Sequence, residues 1–258
     1  MSSLILMIQF MTRYPVPGAI PFSAAYFVQG MKWMPLVGLL AGLPAALAML
    51  AAGPFLGSGL SAFVALFLLI LVTGALHLDG IGDTADGLFS CRPREEMLAI
   101  MRDSTLGVNG VTAIVLTLLL KYELLAALPA TTAAIALLAA PLAARMALTW
   151  HAATAPYARA EPGLGEFVNR VGFAQACSAS LIALALLLPI LLFIPMSWPL
   201  CLLLLVAIFT AVILIAVLFA RSLTRKLGGI TGDTIGATIE LCELCTLLIF
   251  YLFWKHLS

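Results

Sequence analysis

Seven stretches of the chain, at about 33–52, 57–76, 109–128, 131–152, 173–194, 198–220 and 235–254, are nearly unbroken apolar runs. Each is close to the roughly 20 residues that a helix needs to cross the hydrocarbon core of a bilayer. In lipid every backbone N–H and C=O must be satisfied within the segment, so runs of this kind fold as helices. The architecture expected is therefore all-α: a polytopic transmembrane helix bundle of about seven spans plus short interfacial helices, one integral membrane domain over residues 1–258. Composition agrees, with 63% apolar and only 10% charged residues, against the roughly 25% charged residues of soluble domains. The fifth and sixth spans are separated only by Ile194-Pro195-Met196-Ser197-Trp198-Pro199. Met1–Phe10 is too short to span and lacks a basic start or a small-residue cleavage site, so it reads as an interfacial segment.

Charge placement orients the bundle. Of the 13 Lys and Arg, ten fall on one face: Arg13, Lys32, Arg92, Arg94, Arg102, Arg159, Arg170, Arg221, Arg225 and Lys226. Only Lys255 falls on the other, while Lys121 and Arg145 sit inside spans. Short cytoplasmic loops collect Lys and Arg, so that face and the N-terminus are read as cytoplasmic. Acidic residues contribute little to orientation, yet Asp79, Asp83, Asp86, Glu95, Glu96, Asp103, Glu161, Glu166 and Asp233 gather on the same face. The remaining Glu123, Glu240 and Glu243 are intramembrane, and depth along the helices predicts that Arg145 pairs with Glu240 or Glu243, and Lys121 with Glu243 or Glu123. A net charge of +1 leaves no basic excess for a nucleic-acid partner. The five cysteines do not suggest a disulfide framework, and Cys242-x-x-Cys245 within a span reads as packing.

Three clusters on the polar face carry chemistry. In His77-Leu78-Asp79-Gly80-Ile81-Gly82-Asp83-Thr84-Ala85-Asp86-Gly87, a helix would place Asp79, Asp83 and Asp86 on one side at i, i+4 and i+7, with His77 close by. Carboxylates so close repel one another unless a cation sits among them. Hard oxygen ligands at a phosphate-handling site suit Mg²⁺, which takes few carboxylates and keeps places for water and substrate phosphate. The alternative is a solvated acidic loop.

The segment from Arg92 to Gly107 resembles a short amphipathic surface helix; Arg92 and Arg102 are candidate phosphate clamps, or plain surface charges, and Asp103 a metal ligand or base. Gly228-Gly229-Ile230-Thr231-Gly232-Asp233-Thr234 opens the last span, either as an anion-binding turn at a helix N-terminus or as a tight packing turn. It is not a Walker P-loop, because the G-x-x-x-x-G-K-[ST] pattern is absent.

Together with Phe10-Met11-Thr12-Arg13-Tyr14-Pro15-Val16-Pro17, Pro35-Leu36-Val37-Gly38, Ile100-Met101-Arg102-Asp103-Ser104 and Tyr157-Ala158-Arg159, these segments resemble the cobalamin synthase (adenosylcobinamide-GDP ribazoletransferase) family over nearly the whole chain. The resemblance implies a transferase that joins α-ribazole or α-ribazole 5′-phosphate to adenosylcobinamide-GDP with release of GMP, using Mg²⁺. Carried onto this sequence, it implies Asp79, Asp83 and Asp86 as metal ligands and His77 or Asp103 as the base. Substrate contacts fall to Arg13, Arg92, Arg102, Arg159, Gly228, Gly229, Thr231, Gly232 and Asp233. It also implies a bacterial inner-membrane location with the site facing the cytoplasm, and leaves room for a homo-oligomer or association with other enzymes of the pathway. Asp83-x-x-Asp86-Gly87 also looks like the opening of the CDP-alcohol phosphotransferase motif, but Ser90, Cys91 and Arg92 depart from it. The competing classes are thus a lipid-type CDP-alcohol enzyme and an ion-coupled transporter built on the intramembrane charges.

Overall fold

The computed structural model describes residues 1–18, 20–159 and 164–257. Among them the chain forms the α-helices α1 (Ser2–Met11), α2 (Ala24–Gly30), α3 (Met34–Thr73), α4 (Leu76–Phe89), α5 (Arg94–Ile100), α6 (Val108–Ala126), α7 (Ala130–Thr154), α8 (Leu164–Val168), α9 (Phe173–Leu191), α10 (Trp198–Leu227) and α11 (Gly232–Leu257). Glu161, assigned above to the polar face, lies outside the described residues.

Six of these stretches are long and apolar enough to cross a membrane, the first being Ala24–Thr73. That first stretch is two limbs, not one rod. Gly57, at φ 72° and ψ 172°, breaks the helix where a residue bearing a Cβ would be strained. The Tyr14 hydroxyl donates to the carbonyl of Leu40 at 2.8 Å, and the neighbouring Arg13 N–H donates to that of Val72 at 2.7 Å. A straight helix would hold Leu40 and Val72 about 48 Å apart at 1.5 Å per residue. The chain therefore doubles back at Gly57, and the runs at 33–52 and 57–76 are the two arms of a hairpin. With this division the bundle contains seven apolar limbs.

α7 occupies the centre. Its sequence is rich in alanine, and it touches α3, α9, α10 and α11. Small residues let helix backbones approach closely where lipid supplies no hydrophobic drive for association. Gly38 and Gly42 on the first limb of α3 continue the pattern: a Cβ on either would collide with the backbone of Pro141 or Leu137 on α7. The Pro195 region forms the break between α9 and α10 that the sequence suggests. α10, at 30 residues, is about 45 Å long and overshoots a bilayer core of about 30 Å. Its last turns, carrying Arg221, Arg225 and Lys226, thus extend past the apolar zone.

The joint that positions the polar site lies between α3 and α4. Gly74 (φ 63°) and Ala75 (φ 58°) both adopt the left-handed conformation, Ala75 at a steric cost that a residue with a Cβ ordinarily avoids. The pair ends the second limb, with Gly74 N–H reaching Leu71 O and Ala75 N–H reaching Ile70 O. It launches α4 in a new direction, and Arg13 packs over Gly74.

Candidate active site

Helix α4 turns the Asp79, Asp83 and Asp86 spacing into a stripe, as the sequence anticipates. It crosses the start of α11 at backbone contact: a Cβ on Gly80 would meet the Asp233 carbonyl and the Gly236 Cα. This crossing brings Asp233 to the acidic face. Asp79 is exposed and Asp83 half-buried. Partial burial, then repulsion from Asp79, Asp233 and Asp86, pushes the Asp83 carboxyl up to about 7, with Arg159 opposing the shift. Arg159 itself pairs with Asp233 at 3.2 Å, and Thr231 donates to the same carboxylate oxygen.

Asp86 has a second task. Its Oδ2 accepts from the Gly107 N–H at 2.7 Å and its Oδ1 from the Gly110 N–H at 2.9 Å, so it caps the N-terminus of α6. The two glycines are required because a Cβ on either would strike the carboxylate. Each oxygen retains a lone pair.

The Gly228–Thr234 turn is built as a junction. Ile230 N–H donates to Pro156 O and Ala158 N–H donates to Ile230 O, a short parallel bridge joining the turn to the segment after α7. Gly232 N–H donates to the Tyr157 hydroxyl, and Thr231 N–H to the Thr234 hydroxyl. These backbone donors are spent within the protein, which favours the packing reading of the turn over an anion cradle. Gly229 is glycine because a Cβ there would collide with Pro156 O.

Arg94, which the sequence reading leaves among surface charges, fastens α5 to this junction. Its Nε donates to Leu227 O, at the end of α10, and its Nη2 to Ala158 O. A side chain that satisfies a helix C-terminus 133 residues away in sequence gives no local signal, although the positive φ of Gly228, against which Arg94 lies, is foreshadowed by the Gly-Gly pair.

The other arginines differ in placement. Arg102 and Arg159 line an open cavity of about 520 Å³ together with Arg94 and Glu95. Arg92 faces solvent and pairs loosely with Glu96 at 4.0 Å. Asp103 is fully exposed in the turn before α6, and hydrogen bonds from Thr105 hold its carboxyl below the usual range, which makes it a weak base.

His77 is buried beneath the acidic stripe. Arg145 Nη2 lies 3.5 Å from its Nδ1. A guanidinium offers only donors, so Nδ1 accepts and the ring proton resides on Nε2. That nitrogen has no hydrogen-bond partner among the described residues. His77 therefore carries its proton on a buried nitrogen that lacks a partner, an arrangement that does not suit the base role suggested by sequence. Behind it, Arg145 pairs with Glu243 at 3.0 Å, as depth along the helices predicts. Lys121 bridges Glu243 at 2.6 Å and Glu240 at 2.7 Å. The Glu240 contact corrects the depth estimate, which excluded it; lateral packing of α6 on α11 sets the reach of a flexible lysine stem, and rise along one axis does not. Glu123 is exposed.

Residues 3–251 match the family model described as cobalamin-5-phosphate synthase. An adenosylcobinamide-GDP ribazoletransferase of Acetivibrio thermocellus is 36% identical over 251 residues, covering 97% of each chain. One from Clostridium novyi is 35% identical over 249 residues, with 96% of each chain covered, and one from Fusobacterium nucleatum is 35% identical over 272. No solved structure matches. Full-length similarity of this order, over a bundle whose polar end gathers the motifs at 77–87, 157–159 and 228–234, places the chain in the cobalamin-5-phosphate synthase family.

Proposed function

We propose that the protein joins α-ribazole, or its 5′-phosphate, to adenosylcobinamide-GDP and releases GMP. The observation that carries this reading is the family match over residues 3–251, with relatives named for that reaction. A ribose hydroxyl attacks the phosphorus attached to the cobinamide side chain, the new O–P bond replaces the bond to GMP, and GMP departs with the electron pair. The hydroxyl proton passes to a carboxylate of the acidic face or to water. Positive groups near the phosphates are the main aid such a displacement needs, because charge develops on the departing oxygen. Arg102 and Arg159, which flank the open cavity beside α5, would meet the diphosphate.

Mg²⁺ belongs to the same proposal. The acidic face suits a divalent cation, since Asp83 is pushed up by partial burial and then by three neighbouring carboxylates, with Arg159 as the opposing cation. Among the described residues no group of three or more His, Cys, Asp or Glu could hold a metal ion by itself. Asp79 and Asp83 would thus supply the protein ligands, with Asp86 alongside, and water and substrate phosphate would complete the shell, the habit of Mg²⁺ at phosphate sites. Bound there, the ion would neutralise phosphate charge. Membrane placement with this end toward the cytoplasm of a bacterial cell rests on the gathering of Arg and Lys.

Intramembrane charge favours the enzyme over a transporter. Lys121, Arg145, Glu240 and Glu243 pair with one another, and the cavity beside them is about 10 Å³, room for about one water. Purified protein in detergent, given Mg²⁺, should release GMP from adenosylcobinamide-GDP only when ribazole is added. Release of CMP from a CDP-alcohol, without GMP release, would replace this function with the lipid-type one.

A further inference from the structure

Beside the acidic face lies a second cavity, of about 270 Å³, that the displacement chemistry does not use. Asp79 and Asp233 stand among its lining residues, so an occupant reaches the acidic face directly. Its walls are apolar: Met11 from α1, Phe27 from α2, Met31 and Met34 at the start of α3, Ala152 from α7 and Ile239 from α11. All six are buried. Polarizable thioethers and an aromatic ring suit the face of a flat aromatic group. His77 also lines this cavity, is 3% exposed, and carries the Nε2–H that has no partner. A buried donor left unpaired costs free energy that a ligand acceptor would recover.

We propose that this cavity receives the fused aromatic base of the nucleoside substrate and that its walls set which base is joined. The inference rests on the transferase reading above. A benzimidazole bound to ribose through one nitrogen has an apolar bicyclic body, a single free acceptor nitrogen and no donor. That matches apolar walls with one N–H. The other substrate fits less well. Guanine would leave several donors and acceptors unpaired against methionine and phenylalanine, and a corrin macrocycle is larger than the space. Adenine riboside meets the same objection as guanine, because its amino group finds no acceptor on the side chains of Met11, Phe27, Met31, Met34, Ala152 or Ile239.

The test uses the full chain in detergent with adenosylcobinamide-GDP and three ribosides, of dimethylbenzimidazole, benzimidazole and adenine. Binding of each riboside alone is followed in parallel by fluorescence of the base. Wild-type protein should rank them in that order. Ala152→Leu, which fills the cavity, should raise KM and Kd for the dimethylated riboside by about tenfold, the scale of one or two methyl groups in an apolar pocket. The unsubstituted benzimidazole should suffer less, and KM for adenosylcobinamide-GDP should stay within about twofold. Ile239→Val, a one-methyl change, serves if Ala152→Leu does not fold, and should loosen the preference. His77→Leu should weaken all benzimidazole ribosides, and His77→Gln, which keeps an N–H donor, should recover part of the loss. Equal effects of the cavity variants on all three ribosides, or an effect confined to adenosylcobinamide-GDP, would overturn the proposal. So would a phospholipid that copurifies with the wild type and is lost from Ala152→Leu while riboside binding is unchanged. Absence of GMP release with normal riboside binding would instead sink the transferase reading and leave the cavity assignment standing.

Discussion

Asp83 and Asp86 stand on the same helix face and are set to different tasks by their surroundings. Asp86 spends one lone pair of each oxygen on the N-terminus of α6, whereas Asp83 is crowded by other carboxylates. Asp86→Ala should therefore lower unfolding stability by about 1–2 kcal/mol, the usual worth of an N-terminal cap, as well as lowering activity. Asp83→Ala should not lower the melting temperature but should cut GMP release at least about 100-fold, measured at saturating Mg²⁺. Near-normal turnover would remove Asp83 from the site. The pH dependence has a definite sign. The Asp83 carboxyl rises from 3.8 unfolded to about 7 folded, so its ionised form opposes folding. This penalty is absent below the unfolded value, grows between the two, and is full above about 7. Asp83→Asn should stabilise the Mg²⁺-free protein at pH 8 and have little effect near pH 4; thermal melting in detergent reads the difference, and a larger gain at pH 4 would contradict the crowding. Protons and Mg²⁺ compete for this group, so Mg²⁺ affinity should climb with pH and level off above about 7.

At the scale of elements, two contacts hold the site-bearing helices. One is the backbone crossing of α4 and α11 at Gly80 and Gly236. Gly80→Ala would force the helices apart, and overpacking of this kind costs about 1–3 kcal/mol; activity should fall more steeply than expression, because Asp233 moves away from Asp83. The other is the buried group of Lys121, Arg145, Glu240 and Glu243, which ties α6 and α7 to α11. Removing one member of such a pair leaves an uncompensated charge at about 3–5 kcal/mol. Arg145→Glu should therefore cripple folding, and the exchange Arg145→Glu with Glu243→Arg should restore part of it, scored by yield of monodisperse protein in detergent. No recovery in the double variant, with a harmless Glu243→Arg alone, would show that the pair does not hold the helices.

For the whole molecule, the hairpin at Gly57 sets an odd number of apolar limbs, and so puts the two ends of the chain on opposite sides. Single cysteines at Arg92 and Arg225, in a cysteine-free background, should react only with reagent that reaches the cytoplasm. Cysteines at Ser58 and Ser197, both exposed at the far ends of their limbs, should react from outside. Labelling of position 58 and position 92 from the same side would unmake the hairpin. The polar end is then one continuous platform, because Arg13 over Gly74, Arg94 on Leu227 and Arg159 on Asp233 join segments from five parts of the chain.

Helix positions, the acidic stripe and the polar face were legible in the sequence because they depend on local periodicity and on the length of an apolar run, which lipid converts directly into a span. The Arg145–Glu243 pair was legible too, since two charges at equal depth in lipid must find each other. What escaped were decisions between distant segments. Arg94 looks like any surface arginine until α10 ends beside it. The amides of Gly232 and Thr231 look free to bind an anion until Tyr157 and Thr234 take them. Lys121 reaches Glu240 through sideways packing that no count along one helix contains. Hydrogen-bond donors and flexible side chains are assigned by whichever partner the fold brings within about 3 Å, and only the tertiary structure decides which partner that is.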